Sequence, residues 1–226
     1  MIHLYLLRHG ETEHNLNERV QGWNDSPLTE LGLFQARCTG YGLRNVIFKK
    51  AYSGDCLRQI NTAKTVLSEN LHETELIPDP HFREMCYGKY EDGTYYDMLN
   101  PLYEMKNAEY DGYDGLYRFY SDIDIAAELV KRDETQKFEG TEKAWQRLSE
   151  GLEMIFRDNG EGNILISTSS MAICSMIYHL FPDFIQPRLV SNASITVISY
   201  DGTYHLDDYN NTEYRKLGEQ HFRYEH

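Results

Sequence analysis

Apolar positions along this chain follow two alternating rhythms. Short apolar runs at Leu4-Tyr5-Leu6-Leu7, from Val46 to Tyr52 and at Ile164-Leu165-Ile166 read as strands. Between and after them, apolar residues recur at spacings of three and four. Leu31, Phe34, Cys38 and Tyr41 do so behind the start signal Pro27, Thr29 and Glu30. Leu57, Ile60, Ala63, Leu67 and Leu71 repeat the pattern, as do Trp145, Leu148, Leu152 and Ile155 after Thr141. The third run leads through four hydroxyl residues into a further helix from Met171 to Leu180. Near the end, Ile195, Val197 and Ser199 alternate with Thr196 and Ile198, and Asp201-Gly202 before Thr203 to Leu206 predicts a hairpin. Glu213 to His226 reads as a peripheral tail.

Strand and helix patterns in alternation predict an α/β fold: a three-layer sandwich, with a mostly parallel central sheet and helices on both faces. The texture changes between Tyr95 and Lys137, where acids mix with Tyr95, Tyr96, Tyr103, Tyr110, Tyr113, Tyr117 and Tyr120. This segment, about residues 95–137, reads as a helical cap inserted into one domain spanning 1–226. Its tyrosines either pack on the main body or contact a substrate.

Composition narrows the function classes. The 226 residues suffice for a sizeable core, and 41% hydrophobic with 26% charged residues is ordinary globular usage. A formal charge of -14 opposes nucleic-acid binding, which needs clustered Lys and Arg. No apolar run reaches the roughly 18 residues of a membrane span, so no membrane partner and a cytoplasmic location are expected. Cys38, Cys56, Cys86 and Cys174 lack metal-ligand spacing and read as free thiols. Oligomeric state is not readable.

Chemistry concentrates where the first strand ends, at Arg8-His9-Gly10-Glu11-Thr12. Open α/β sheets bind ligands beyond the carboxyl ends of their strands. An imidazole there can attack phosphorus while a neighbouring guanidinium gathers the phosphoryl oxygens. The dipeptide alone fits a salt-bridging surface feature better.

The wider stretches LLRHGETEHN (Leu6 to Asn15) and RVQGWNDSPLTELG (Arg19 to Gly32) resemble the histidine phosphatase superfamily, also called the phosphoglycerate mutase-like family. Tyr52 to Arg58 with Thr62-Ala63 is similar to its second arginine block, and Phe82-Arg83-Glu84 with Gly88 and Gly93 to its acid block. Asn192-Ala193-Ser194-Ile195 is similar to a late structural block. The resemblance implies that His9 becomes phosphohistidine, that Arg8 and Arg58 clamp the phosphate with help from Asn15, and that Glu84 is the general acid. It implies a small phosphorylated substrate and neither metal nor cofactor, because the arginines supply the positive charge. On the residues alone, Arg58 also fits an exposed partner of a helix acid, and Glu84 a salt bridge to Arg83.

The pattern breaks in one place. The family carries a second catalytic histidine after the late apolar strand, in a Ser-His-Gly context; here Ile166-Ser167-Thr168-Ser169-Ser170 puts Thr168 at that position. Thr168 offers the phosphate a neutral hydroxyl, and the free N–H groups of the following helix an anion cradle. His179 lies about two helical turns further on. Phosphate binding is expected to survive this change better than catalysis. Two main readings follow: a phosphomonoesterase-like hydrolase of reduced activity, or an impaired relative that binds a phosphorylated ligand or partner. A phosphoglycerate mutase ranks below both.

Overall fold

The computed structural model describes residues 1–184 and 190–224. Among them, β1 (Ile2–Arg8), β2 (Phe48–Ser53), β3 (Leu76–Pro78), β4 (Gly162–Thr168), β5 (Ile195–Tyr200) and β6 (Tyr204–Asn211) form one sheet, in the order β3-β2-β4-β1-β5-β6. β3, β2, β4 and β1 pair in parallel, β5 runs against β1, and β6 runs against β5. Five of these six strands therefore share one direction, and the sheet is mixed only through β5. β1 sits inside it because its side chains are apolar on both faces, with Leu4, Leu6 and Leu7 fully buried.

Helices α1 (Glu13–Leu16), α2 (Glu30–Gly42) and α3 (Leu57–Ser68) follow the first two strands. The tyrosine-rich segment holds α4 (Tyr95–Glu104), α5 (Gly112–Gly115) and α6 (Asp122–Arg132). α7 (Gly140–Asn159), α8 (Ser170–Leu180) and α9 (Glu213–Tyr224) come last. The period of two in the strands sorts them into layers. Ile2, Leu4, Leu6, Ile164 and Ile166 meet Leu148, Leu152 and Ile155 of α7 and Ile173 and Ile177 of α8. Tyr5, Leu7, Ala51 and Leu165 face the other way, onto Ala36 of α2, Val66 of α3 and Tyr214 of α9. The chain is thus an α/β sandwich of three layers, as its patterning predicts.

The segment between residues 95 and 137 forms a core of its own. Met98, Leu99 and Leu102 of α4 cluster with Ile125 and Leu129 of α6, and rest on Met85 and Met171 of the main body. Tyr103 is buried among them and donates its hydroxyl to the Gly112 carbonyl at 2.7 Å.

Three local expectations need correction. On α3 the buried side carries Arg58, Gln59, Thr62, Ala63 and Val66, while Leu57 is 63% exposed and Leu71, beyond the helix, is exposed too. Hydrogen bonds make that polar face tolerable: Thr62 Oγ1 donates to the Arg58 carbonyl and accepts from the Gly10 N–H, and Gln59 Nε2 donates to Ser169 Oγ. On α2, Leu31 is exposed and the small residues Gly32, Ala36 and Gly40 face inward. They allow close approach: a Cβ on Gly40 would lie 2.5 Å from the Val66 carbonyl oxygen of α3.

The third correction concerns the C-terminal stretch. Its described part is no mere peripheral tail, because Glu213–Tyr224 form α9 against α2. Gly218 lies so near Cys38 that a Cβ there would stand 2.2 Å from its carbonyl oxygen. Tyr41 stacks on His221 at 3.9 Å, and the Arg37 guanidinium lies 3.8 Å from the centre of the Phe222 ring. The segment is rich in charge, and its one leucine, Leu217, is about half exposed.

Candidate active site

Strand register brings the distant stretches together. Arg8 and Thr168 are partners at the carboxyl ends of adjacent parallel strands, and the His9 N–H donates to the Thr168 carbonyl at 3.0 Å. Gly54, just past β2, donates to the Ser167 carbonyl at 2.9 Å. β1, β2 and β4 therefore end along one rim, with β5 reversed beside β1. This is the place where open α/β sheets open a crevice.

A partly enclosed cavity of about 40 Å³ lies at that rim. Arg8, His9, Asn15, Gln21 and Glu84 line it from the main body. Tyr87, Ser170 and Met171 complete that side, and Tyr95 and Tyr113 reach it from the segment between residues 95 and 137. At roughly 10–15 Å³ of such space per water, it holds about three water-sized groups, the scale of a phosphoryl group.

After β1 the chain packs closely because Gly10 carries no side chain. A Cβ on Gly10 would sit 2.3 Å from the Gly32 carbonyl oxygen, so the segment after His9 lies directly on the start of α2. The His9 ring is buried, and its Nδ1 stands 2.7 Å from the Gly10 carbonyl oxygen. A carbonyl only accepts, so Nδ1 carries the proton and Nε2 keeps its lone pair. Burial, then the charges of Arg58 and Arg8, holds this imidazole well below its ordinary range; the bond to Gly10 opposes them. From the backbone side, Asn192 Nδ2 donates to the His9 carbonyl at 3.1 Å and to Asn15 Oδ1 at 3.2 Å. The Asn15 amide oxygen also accepts from the Thr12 N–H, which leaves its NH₂ as the end offered to the cavity.

The two arginines differ in placement. Arg8 lines the cavity and donates from Nη1 to the Val190 carbonyl. Arg58, 1% exposed, is not among the lining residues; it donates to the Gly22 and Asn24 carbonyls and to Asp25 Oδ1, at 2.6, 2.7 and 3.2 Å. Its charge nevertheless acts on both His9 and Glu84. Among the described residues, Nε of each arginine is buried without a hydrogen-bond partner.

Glu84 is buried, and Arg83 does not pair with it: Arg83 makes a two-point bridge to Asp55, with its Nη2 2.6 Å from Oδ2. Glu84 Oε1 accepts from the N–H groups of Met85 and Ala172, at 2.8 and 2.9 Å, and Oε2 from that of Met171 at 3.0 Å. Burial raises its pKa, and the bonds from Met85 and Met171 and the arginine charges offset part of that rise. This corrects the expected anion cradle at the start of α8, since two of its N–H groups already hold a carboxylate.

Thr168, expected to offer its hydroxyl to the phosphate, is fully buried and not among the lining residues, and that hydroxyl donates to the Phe82 carbonyl at 2.7 Å. His179 lies against Trp145, with ring centres 4.9 Å apart, and its Nδ1 stands 2.8 Å from the Ser175 carbonyl oxygen of its own helix. Since a carbonyl accepts, Nδ1 of His179 donates there. Gln21, Tyr87 and Asn192 stand in stretches that carry the resemblance, yet spacing alone gave none of them a role. Gln21 holds Thr12 and Ser26 through its amide, at 2.8 and 2.9 Å.

No group of three or more His, Cys, Asp or Glu side chains at metal-binding separation occurs among the described residues. Nor is any of their helices long and apolar enough to cross a membrane.

Comparison with known proteins agrees with this geometry. The chain is 39% identical over 88 residues to the zebrafish (Danio rerio) protein named fructose-2,6-bisphosphatase TIGAR B, covering 38% of this chain and 34% of that one. It is also 39% identical over 101 residues to a probable phosphoglycerate mutase, GpmB, of Yersinia pestis, covering 45% and 46%. These matches span about a third to a half of the curated relatives. A phosphoglycerate mutase from Bacillus anthracis superposes with a TM-score of 0.87 at 30% identity, covering 96% of both chains. The family model of the histidine phosphatase superfamily (branch 1) matches residues 4–212, and the chain belongs to that superfamily.

Proposed function

We propose that the protein is a phosphoric monoester hydrolase working through a phosphohistidine at His9. The observation that carries this reading is the imidazole itself: buried, uncharged, fixed by Gly10 at Nδ1 and beside two guanidiniums. Nε2 attacks phosphorus, the P–O bond to the alcohol breaks, and the departing oxygen takes a proton from Glu84. Glu84, now a carboxylate, accepts a proton from water as that water's oxygen attacks phosphorus and the N–P bond breaks, which restores His9. Arg8, with Asn15, gathers the phosphoryl oxygens. Arg58 contributes its charge from behind the wall, and its unpartnered Nε is the end free to join the clamp.

Burial favours this use of Glu84, because a carboxyl that keeps its proton above the usual carboxylate range can act as an acid. Hydrolysis of p-nitrophenyl phosphate and a panel of phosphorylated metabolites tests the reading; turnover must vanish in His9→Ala.

A second reading, a binder of a phosphorylated ligand or partner without turnover, draws support from Thr168. Its hydroxyl is committed to Phe82, and Glu84 holds the neighbouring α8 N–H groups. Neither supplies the donor that the family's second histidine would give. Removing one such donor costs on the order of 10²–10³ in rate in other enzymes. Phosphate affinity with no turnover at any pH would select this second reading. The same gap bears on phosphoryl return to a second hydroxyl, so a mutase activity ranks lowest.

A further inference from the structure

Resting on the reading of this cavity as a phosphate site, we propose that Tyr95 is a further substrate-contacting residue, its phenol O–H donating to an oxygen of the bound phosphoryl group from the cap side. The proposal gives the cap a chemical task beyond covering the sheet edge, and supplies from there a neutral donor in place of the one that Thr168 withholds.

The placement of the ring carries the argument. Tyr95 opens α4 and lines the cavity together with Arg8, His9 and Glu84. Its position is fixed from two directions. Its own N–H donates to the Glu18 carbonyl at 3.1 Å, and the preceding Thr94 bridges Arg19, so this end of the cap is stitched to the segment that follows His9. The side chain of Thr94 then caps α4 by accepting from the Asp97 N–H at 3.0 Å. The ring body rests on the Met98 and Leu99 cluster.

The electrostatics of the phenol agree with a donor. Arg8 and Glu84, followed by Arg58, are the site charges that act on it, and Tyr95 in turn acts on Arg8. Burial is the largest influence and raises its pKa, so the hydroxyl stays protonated and offers a hydrogen. A phenol in the neighbourhood of a guanidinium that clamps phosphate stands where phosphoryl oxygens collect.

Tyr95→Phe removes only the hydroxyl and keeps the ring on its apolar support. Titration calorimetry with inorganic phosphate should give about tenfold weaker binding in the variant, as expected for one hydrogen bond to a charged group. Thermal denaturation without phosphate should be nearly unchanged, and kcat/KM should fall in parallel with phosphate affinity. Phosphate affinity within twofold of the parent overturns the inference, as does a lowered Tm with affinity intact, the mark of a packing role. A wild-type protein that binds no phosphate overturns it together with the hydrolase reading. If phosphate binds and weakens in Tyr95→Phe while the parent turns over no ester, the hydrolase reading alone falls.

Discussion

The carboxylate of Glu84 closes the start of a helix that begins almost ninety residues later: its Oε2 accepts the N–H of Met171 at 3.0 Å. The contact joins the acid block to the β4–α8 turn, and places the proposed proton donor on a helix N-terminus, where negative charge is favoured. Burial pulls the other way.

Glu84→Gln tests both roles. One amide oxygen cannot accept all three N–H groups that Glu84 holds. Turnover should fall on the order of 10²-fold or more, the usual scale for a lost general acid. A variant with turnover near that of the parent removes Glu84 from the mechanism.

The same carboxyl should leave a mark on stability. Its folded-state pKa is raised, so the folded protein binds that proton more tightly than the unfolded chain. The contribution is present below the ordinary carboxylate range and is lost as pH rises through the folded value. Melting curves of the parent and of Glu84→Gln should diverge across that window, with the parent losing ground as pH rises. Parallel curves contradict the assignment.

His9 titrates in the opposite sense. Its depressed pKa keeps the nucleophile uncharged well below the pH at which a free histidine protonates. The protonated form of Glu84 persists above the ordinary carboxylate range. With a neutral base and a protonated acid both required, kcat/KM should fall as pH drops through the depressed His9 value and again as it rises through the raised Glu84 value. A rate that climbs steadily into the alkaline range would contradict these paired roles.

Arg58→Ala should cost stability as well as rate. Its guanidinium serves the Gly22 and Asn24 carbonyls and Asp25; removal strands the two carbonyls, while Asp25 keeps the backbone N–H groups of Leu57 and of residue 58. A loss on the order of 3 kcal/mol follows, equivalent to a Tm lower by roughly 10 °C in a chain of this size. His9→Ala, whose ring bonds only its neighbour's carbonyl, should melt close to the parent. Equal melting of the two variants would refute the structural half of the role given to Arg58.

Much of this arrangement was legible in the sequence, and what was not had physical causes. The strands at Leu4 and Ile164 announced themselves because a doubly covered sheet makes strands apolar on both faces, whereas the run from Val46 was readable in spite of Lys49 and Lys50. α3 misled the apolar pattern because Arg58, Gln59 and Thr62 face inward, and such reversals gather where a fold supports a site. Arg8 and His9 were readable from one strand end. That Glu84 occupies the N–H groups of Met171 and Ala172 was not, since nothing in spacing reveals which of two anions, carboxylate or phosphate, a helix start holds. The cap tyrosines divided between the two readings: Tyr103 packs, while Tyr95 and Tyr113 line the cavity.

Thr168→His asks whether the missing donor limits the rate. The site is fully buried, so the larger ring should lower Tm. Turnover should still rise, by on the order of tenfold or more, with phosphate affinity little changed. A lower rate would place Thr168 outside the phosphoryl-binding turn.

The central claim concerns one bond, between phosphorus and Nε2 of His9. Rapid quenching during turnover of p-nitrophenyl phosphate, followed by peptide mass spectrometry under conditions that preserve acid-labile phosphate, reads it directly. The expected result is one phosphoryl group on the peptide containing His9, absent from His9→Ala. Turnover with no such adduct, or with phosphate on another side chain, would contradict the account.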